Sequence, residues 1–534
     1  MKSAIEVLEI PRQELDALLE HARTALPDED YRRLKAVVEG LSYLTELIAD
    51  KDTTIRDLRR LLFPLLTEKT REVLRRAGVE AAEKPAADAE TNSADGKQGK
   101  KPGHGRNGAD AYHGAQRIAI SHNELHAGDA CPACIKGKIY VQQEPKRLVR
   151  ISGQAPLGAT VYELERLRCN LCGEVYTAPA PEDVGEEKYD ETAAAMIAQM
   201  KYGSGMPFHR LERLEQNLGI PLPAATQWEI VEEAAELIRP VHEELIRQAA
   251  QGEVLHNDDT GMRVLHLARE PADERTGVFT SGVVSVADGR RIALFFTGRQ
   301  HAGENLADVL KQRSAALPSP VQMCDALSRN TPKLPEGAEI LLANCLAHGR
   351  RQFVEVAANF PAACRYVLEM LGEVYRNDAA ARQQKMTSEE RLRFHQQHSR
   401  PIMDKLHSWM ESQLAERKTE PNSGLGQAVG YMLRHWQPLT LFLRRAGAPL
   451  DNNLVERSLK KAILHRKNAL YYKTENGARV GDLYMSLIHT CELNGVYSLD
   501  YLTELQRHAE ELRCNPAAWM PWNYRDALAQ TAEL

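Results

Sequence analysis

Val254-Leu-His-Asn-Asp-Asp-Thr260 is the stretch on which the reading of this chain turns. It has the length and apolar opening of a strand, and it ends in two adjacent carboxylates. On a strand neighbouring side chains point to opposite faces, so only one of Asp258 and Asp259 can face a given site. Two further segments repeat the theme. Pro320-Val-Gln-Met-Cys-Asp325 is a short apolar run that also ends in a carboxylate. Asp451-Asn-Asn-Leu-Val-Glu-Arg-Ser-Leu-Lys-Lys461 reads as the start of a basic helix carrying Glu456. Two strand-borne aspartates and one helix-borne glutamate make the hard-oxygen donor set that two Mg²⁺ or Mn²⁺ ions require.

Singly, each acid has a plain structural reading. Asp258-Asp-Thr-Gly261 suits a loop at a strand end, and Asp325 suits the cap of a following helix. With Asn453 as N-cap, Glu456 would be the third helical residue of a capping box. In combination they point elsewhere. The pieces Gly277-Val-Phe-Thr-Ser-Gly-Val-Val-Ser-Val286 and Arg291-Ile-Ala-Leu-Phe-Phe-Thr297 are joined by Ala-Asp-Gly-Arg, a hairpin signal. A helix at about 303–314, the strand ending at Asp325, and Ile340 to Phe353 as a strand running into a helix follow. The pattern is helical from about 362 to 447 before Glu456 arrives. A hairpin, a strand aspartate and a later helical glutamate fit a ribonuclease H-like α/β layout. Behind Glu456 come Arg457, Lys460, Lys461, His465, Arg466 and Lys467, cations suited to a phosphate backbone.

Ahead of this region, residues 185–250 are helical in pattern, with Pro240 as an internal break. Cys131-Pro-Ala-Cys134 and Cys169-Asn-Leu-Cys172 have the spacing of zinc knuckles. The four thiolates would close the shell of a structural Zn²⁺; a redox Cys-x-x-Cys or two unconnected pairs is the competing reading. Residues from about Glu83 to Gly114 are rich in Gly, Ala and Lys and poor in large apolar side chains, as in a flexible linker. Its basic end either tracks DNA non-specifically or serves as a solvated spacer. At 31–62 a heptad seam runs through Leu34, Leu41, Ile48, Ile55 and Leu62, with Val37, Leu44, Lys51 and Leu58 beside it. That seam suits a coiled coil and self-association, against an amphipathic helix folded on its own domain.

The chain has 534 residues, 43% of them apolar and 27% charged, enough for several packed domains. A net charge of −6 excludes a uniformly basic coat, so nucleic-acid binding would rest on local patches. No apolar run reaches the roughly 18–20 residues of a membrane span, and the N-terminus lacks a signal-peptide pattern. Nine cysteines, five of them scattered, argue against a secreted disulfide framework. The expectation is a cytoplasmic protein with no membrane partner.

These segments resemble the insertion sequence 66 transposases, DDE-type enzymes of bacterial mobile elements. Leu255-His-Asn-Asp-Asp-Thr260 is similar to the family's first catalytic motif and places the functional aspartate at Asp258. Asn344-Cys-Leu-Ala-His-Gly-Arg-Arg-Gln-Phe353 is similar to its Cys-aromatic-Ala-His motif, with Leu346 where an aromatic is usual. Asn452 to Arg457, continuing through His465-Arg-Lys-Asn468, resembles the glutamate motif. Leu58-Arg-Arg-Leu-Leu-Phe63, Gly103-His-Gly-Arg106, Leu493-Asn-Gly-Val496 and Met520-Pro-Trp-Asn523 extend the likeness along nearly the whole chain. Two departures stand out: Cys324-Asp-Ala-Leu-Ser-Arg329 lacks the tyrosine usual at the second aspartate, and Gly261 stands where proline is common.

The resemblance implies a multidomain α+β protein with an N-terminal coiled-coil helix, a zinc ribbon and a ribonuclease H-like domain with a helical insertion. Residues 1–80 would be the coiled coil, 81–118 the linker and 119–182 a DNA-binding Cys₄ ribbon. Residues 183–250 would be a helical DNA-binding or connector region, 251–475 the catalytic domain with its insertion at about 362–447, and 476–534 a C-terminal helical region. It implies Asp258, Asp325 and Glu456 as catalytic Mg²⁺ ligands and Cys131, Cys134, Cys169 and Cys172 as zinc ligands. Arg350, Arg351, Arg457, Lys460, Lys461, Arg466 and Lys467 would contact DNA. Cys345, His348 and Asp259 are accessory candidates; His348 would either touch the scissile phosphate or hold Cys345 and its helix in place. The implied activity is Mg²⁺-dependent cleavage and transfer of the ends of an insertion element. Its partners would be terminal inverted repeats, target DNA, a second copy of the chain and accessory element-encoded proteins, at the bacterial nucleoid. The alternatives are an inactive DNA-binding relative and a ribonuclease H-like nuclease that does not join strands.

Overall fold

The computed structural model describes residues 155–168, 175–181 and 187–532, apart from 268–274 and 338, with scattered residues ahead of these. The heptad and linker segments lie outside the described residues, apart from a few isolated positions, and so do Cys134, Cys169 and Cys172. Two compact units partition the chain. From residue 119 onward, among the described residues, Arg350–Arg376 and Ile402–Gly430 fall in one; the segments up to Gly349, Asn377–Pro401 and the chain from Tyr431 onward fall in the other.

The larger unit opens with two short antiparallel strands, β1 (Arg166–Arg168) and β2 (Val175–Thr177). Helices α1 (Glu191–Ala198), α2 (Phe208–Asn217) and α3 (Ala224–Ala249) follow. Pro240 lies inside α3 and does not end it, contrary to the sequence expectation. A proline within a helix costs about 3 kcal/mol. Burying Ile238, Val241 and Leu245, which share one stripe and are fully covered, contributes about 1.5–3 kcal/mol each. Packing therefore outweighs the missing hydrogen bond.

A five-stranded mixed sheet forms the centre. Its strands are β3 (Val254–Gly261), β5 (Phe279–Ala287), β6 (Arg290–Gly298), β7 (Val321–Cys324) and β8 (Leu341–Asn344), in the order β6-β5-β3-β7-β8. A short strand, β4 (Val264–His266), leaves the end of β3. β3, β5 and β6 form an antiparallel meander, while β7 and β8 run parallel to β3. The hairpin signal is realised as two residues, Asp288 (φ 48°) and Gly289 (φ 76°), both left-handed as a type I′ turn requires. Helix α4 (Ala302–Leu310) crosses between β6 and β7 and packs on β3 and β5.

Between β8 and the glutamate helix the chain is helical: α5 (Leu346–Val356), α6 (Pro361–Gln383), α7 (Ser388–His398), α8 (Arg400–Ala415) and α9 (Gly424–Arg434). The smaller unit is closed by Leu368, Leu371, Val374, Met403, Leu406 and Met410, all fully buried, with Tyr366 tilted against Trp409 at 5.0 Å. Helix α10 (Asn453–Ala469) then lies against β3 and β5. After it come β9 (Tyr472–Thr474), parallel to β4, and α11 (Glu475–Leu493), α12 (Ser498–Arg507), α13 (Ala509–Cys514) and α14 (Tyr524–Ala532).

Helix α11 covers the sheet edge by matching two periods. Thr297, Phe295, Ala293 and Arg291 of β6 donate their N–H groups to Asp482 Oδ2, Ser486 Oγ, Thr490 Oγ1 and Asn494 Oδ1, at 2.6, 3.0, 3.0 and 3.2 Å. Four helical residues rise about 6.0 Å, and two strand residues about 6.6 Å, so every fourth side chain meets every second amide. An edge that would otherwise template another strand is satisfied internally.

Candidate active site

β3 and β7 pair in parallel with Val254 opposite Val321 and His256 opposite Met323. Continued by two residues, that register sets Asp258 beside Asp325. β7 and β8 pair with Cys324 opposite Asn344, which sets Asp325 beside Cys345. In-register side chains on parallel strands share a face and stand about 4.8 Å apart. Asp258, Asp325 and Cys345 therefore form a row across the carboxyl ends of three strands, where open α/β sheets bind ligands.

The pleat separates the two adjacent aspartates. Asp259 turns to the α4 face, where its carboxylate meets His301 Nδ1 at 2.8 Å and Arg329 at 3.3 Å. Asp258 lies on the α10 face. Its partner in β5 is Gly282, and a Cβ there would stand 3.0 Å from Leu459 and 3.1 Å from Val455 of α10. The missing side chain is what lets α10 approach the sheet at the level of Asp258.

Asn452 fixes the head of that helix. This fully buried residue donates from Nδ2 to the carbonyl of Asn257 at 3.0 Å, and its Oδ1 faces His256 Nδ1 at 3.1 Å. Its backbone N–H points to Cys345 Sγ at 3.2 Å. The helix begins at Asn453 with Asn452 as its cap, so the expected capping box on Asn453 does not form and Glu456 is the fourth helical residue. The side chain of Asn452 is committed to β3, which leaves it unable to cap. The far end of α10 is tied by Arg466, whose guanidinium reaches Thr260 Oγ1 and the Gly261 carbonyl.

The donor atoms meet in two groups. Asn330, fully buried, points Nδ2 at Asp325 Oδ1 at 2.5 Å and at Asp258 Oδ1 at 3.4 Å. Asn330 is itself held by Asn257 and Gln322, which both donate to its carbonyl at 2.7 Å. Burial, and next the Asp325 charge, push the Asp258 carboxyl up to about 7; Glu456 adds to the effect. In the second group Glu456 Oε1 lies 3.8 Å from His348 Nδ1. Ligand atoms of Cys345, His348 and Glu456 all fall within 4.8 Å of one another. Both Glu456 Oε1 and His348 Nδ1 are buried without a hydrogen-bond partner. Burial pushes the Cys345 thiol up to about 12.

Asn330 and Asn452 carry no local signal as site residues, since an isolated asparagine after a strand or before a helix reads as a turn. Tyr431, near the end of α9, was missed as well. Its phenol is pushed up to about 12 by burial and then by the Asp325 charge, and it accepts from the Ala326 amide. It brings a tyrosine to the second aspartate from a distant helix.

The basic residues behind Glu456 divide. Arg457, Lys460 and Lys467 are exposed along one face of α10. Lys461 pairs with Glu492 at 2.8 Å, and Arg466 is engaged as described. His465 is buried between Tyr472 at 4.4 Å and Tyr202 at 6.4 Å, and burial pushes it down to about 3, a neutral core ring rather than a cation. Arg350 and Arg351 on α5 are half-buried and already have partners. Of the four paired cysteines only Cys131 is described, and it is half-buried.

An α/β sheet with carboxylates at its strand ends and a basic helix across them marks a nucleic-acid-processing class. The chain belongs to the IS66 transposase family, whose profile matches residues 187–480. Two relatives from Sinorhizobium fredii (strain NBRC 101917 / NGR234) are described only as uncharacterized proteins. y4jD is 26% identical over 384 residues, 69% of this chain and 73% of that protein. y4hP is 25% identical over 401 residues, 69% of each. Membership carries a general role in transposition, and with it DNA as partner and divalent metal as the expected cofactor. Among the described residues no helix is long and apolar enough to cross a membrane.

Proposed function

We propose that this protein cleaves the ends of an insertion element and joins them to target DNA, using Asp258, Asp325 and Glu456 as ligands for two Mg²⁺ or Mn²⁺ ions. The observation that carries the reading is the shared register of Asp258 and Asp325, with α10 brought over them by Gly282 and Asn452. The sheet order, a three-stranded meander flanked by two parallel strands, supports a ribonuclease H-like domain, with a helical insertion at about 362–447 that holds α6 to α9.

The residues suit the ions. Two carboxylates in one row share the neutral Nδ2 group of Asn330, and Asp258 resists ionisation beside Asp325. A divalent charge would relieve both conditions. Such ions, when bound, supply acidity to the attacking water or hydroxyl and stabilise the departing oxygen. Asn330 orients the two aspartates, held in turn by Asn257 and Gln322. Arg457, Lys460 and Lys467 form an exposed row along which a phosphate backbone can lie. Lys461 and Arg466, proposed from sequence for DNA, serve first to position α10.

The zinc ribbon and coiled coil belong to the same proposal. Ala130 bridges Lys138, and β1 pairs with β2, so a short antiparallel pairing flanks each Cys-x-x-Cys in the sequence. Two such pairings fit the knuckles of a structural Zn²⁺ site. The test of the function is an assay of element-end cleavage and strand joining in Mg²⁺. Asp258→Asn and Glu456→Gln should lose both reactions while retaining DNA binding; retention of cleavage by both variants would overturn the assignment, and cleavage without joining by the wild type would make it a nuclease.

A further inference from the structure

Of the three proposed metal-ligand acids, Glu456 keeps company that the other two do not. Its Oε1 faces an imidazole and a thiol, and neither Oε1 nor His348 Nδ1 has a hydrogen-bond partner although both atoms are buried. Leaving two polar atoms unmatched costs about 1–3 kcal/mol each, so the arrangement calls for something to bind between them. We propose that Cys345, His348 and Glu456 form a site for one borderline-soft divalent cation of the Zn²⁺ or Co²⁺ kind, distinct from the hard-cation pocket at Asp258 and Asp325.

The donor set decides the class of ion. A thiolate, an imidazole and a carboxylate are ligands that Zn²⁺ and Co²⁺ accept and Mg²⁺ does not favour. The ligand atoms lie within 4.8 Å of one another, and His348 to Glu456 is 3.8 Å. The edge of a tetrahedral site with these ligands is about 3.5 Å, so inward shifts of at most about 1 Å close it. Cys345 and His348 are three residues apart at the head of α5, and Glu456 comes from the first turns of α10. The thiol is already provided with an outer partner, the Asn452 N–H at 3.2 Å, which favours the deprotonated sulfur a metal needs. The proton leaves Cys345 for solvent on binding, so uptake releases one proton per ion. Three protein ligands leave a fourth position open.

In the row across the strands Cys345 stands one strand beyond Asp325, so this ion would sit beside the hard-cation pocket, with Glu456 reaching both. A soft ion there would anchor the glutamate in place before the hard cations arrive. The inference shares Glu456 with the proposed function but does not depend on strand cleavage.

The experiment titrates the metal-free full chain with Co²⁺, without DNA or Mg²⁺, and reads thiolate-to-cobalt charge-transfer absorption and the number of ions bound. Cys345→Ser should bind one equivalent fewer than the wild type, which subtracts any ion held by the paired cysteines. His348→Ala, at a partly exposed position, should weaken that equivalent tenfold or more while far-ultraviolet circular dichroism stays unchanged. Asp258→Asn should leave it intact, even where cleavage is lost. Equal stoichiometry in wild type and Cys345→Ser, or an unchanged titration in a folded His348→Ala, would overturn the proposal. If Cys345→Ser does not fold, the His348→Ala titration decides alone.

Discussion

Asp258→Asn should make the metal-free protein more stable, because the wild-type chain holds a carboxylate where its charge is unwelcome. Its carboxyl is pushed from the ordinary aspartate value of 3.8 up to about 7, first by burial and then by the charge of Asp325. Each unit corresponds to about 1.36 kcal/mol, so the gross penalty of ionising it in the fold is about 4 kcal/mol. Asp258 keeps some solvent contact and shares its charge with a coupled neighbour, which reduces the realised effect to about 2 kcal/mol. The sign follows from proton linkage. Between pH about 4 and 7 the folded state holds the proton more tightly than the unfolded chain does, so wild-type stability falls as pH rises through that window. Asparagine keeps the acceptor that Asp258 Oδ1 offers to the Asp259 N–H and carries no charge. At about pH 8 the variant should therefore melt several degrees higher than the wild type, and at about pH 5 the gap should shrink toward zero. Millimolar Mg²⁺ should close the gap from the other side, stabilising the wild type and not the variant. Calorimetry at both pH values decides it. A variant no more stable at the higher pH, or a gap independent of pH, would refute the assignment of a strained, charge-coupled Asp258.

Three other perturbations test how the site is assembled. Asn452→Ala strands the carbonyl of Asn257 and the His256 ring in a buried position; it should cost about 2–6 kcal/mol in denaturant unfolding, at about 1–3 kcal/mol for each orphaned group. Gly282→Ala puts a methyl 3.0–3.1 Å from Leu459 and Val455, costing about 1–3 kcal/mol, and should reduce strand cleavage more than tenfold by displacing the glutamate helix, as read by a cleavage assay at saturating DNA. Asp482 is pushed up to about 7 by burial; Asp482→Asn should flatten the fall of stability between pH about 4 and 7 by one proton, as read by melts across that range.

How far the sequence carried this picture depends on the kind of interaction. Segments whose periodicity is local were readable: the strand holding Asp258, the Asp288-Gly289 turn, the strand ending before Asp325, and the basic helix after Glu456. Alternation says only that Asp258 and Asp259 face apart; the motif resemblance singled out Asp258, and the register sets that residue beside Asp325. Residues that act across the fold gave little local signal. Asn330 occupies Ser-Arg-Asn-Thr, and Tyr431 lies a hundred residues from the aspartate it approaches. Capping rules weigh only the helix and so favour Asn453, whereas the buried amide of Asn452 bonds to β3. Six cations in a row looked equivalent by charge, yet one is a core imidazole and two hold the helix in place. The edge-covering face of α11 did leave a trace, polar residues spaced by four at 482, 486 and 490 and again at the C-cap Asn494. A period of four inside a buried helix is a signal that strand amides are to be met.

The most direct test of the central claim is a map of where a bound metal cuts the polypeptide. Fe²⁺ exchanged into the Mg²⁺ pocket generates hydroxyl radicals with ascorbate and peroxide, and these break the backbone close to the ion. Fragments ending near residues 258, 325 and 456 should appear together and disappear together when excess Mg²⁺ is added. Cuts near only one of the three positions, or protection of one without the others, would contradict a shared metal pocket.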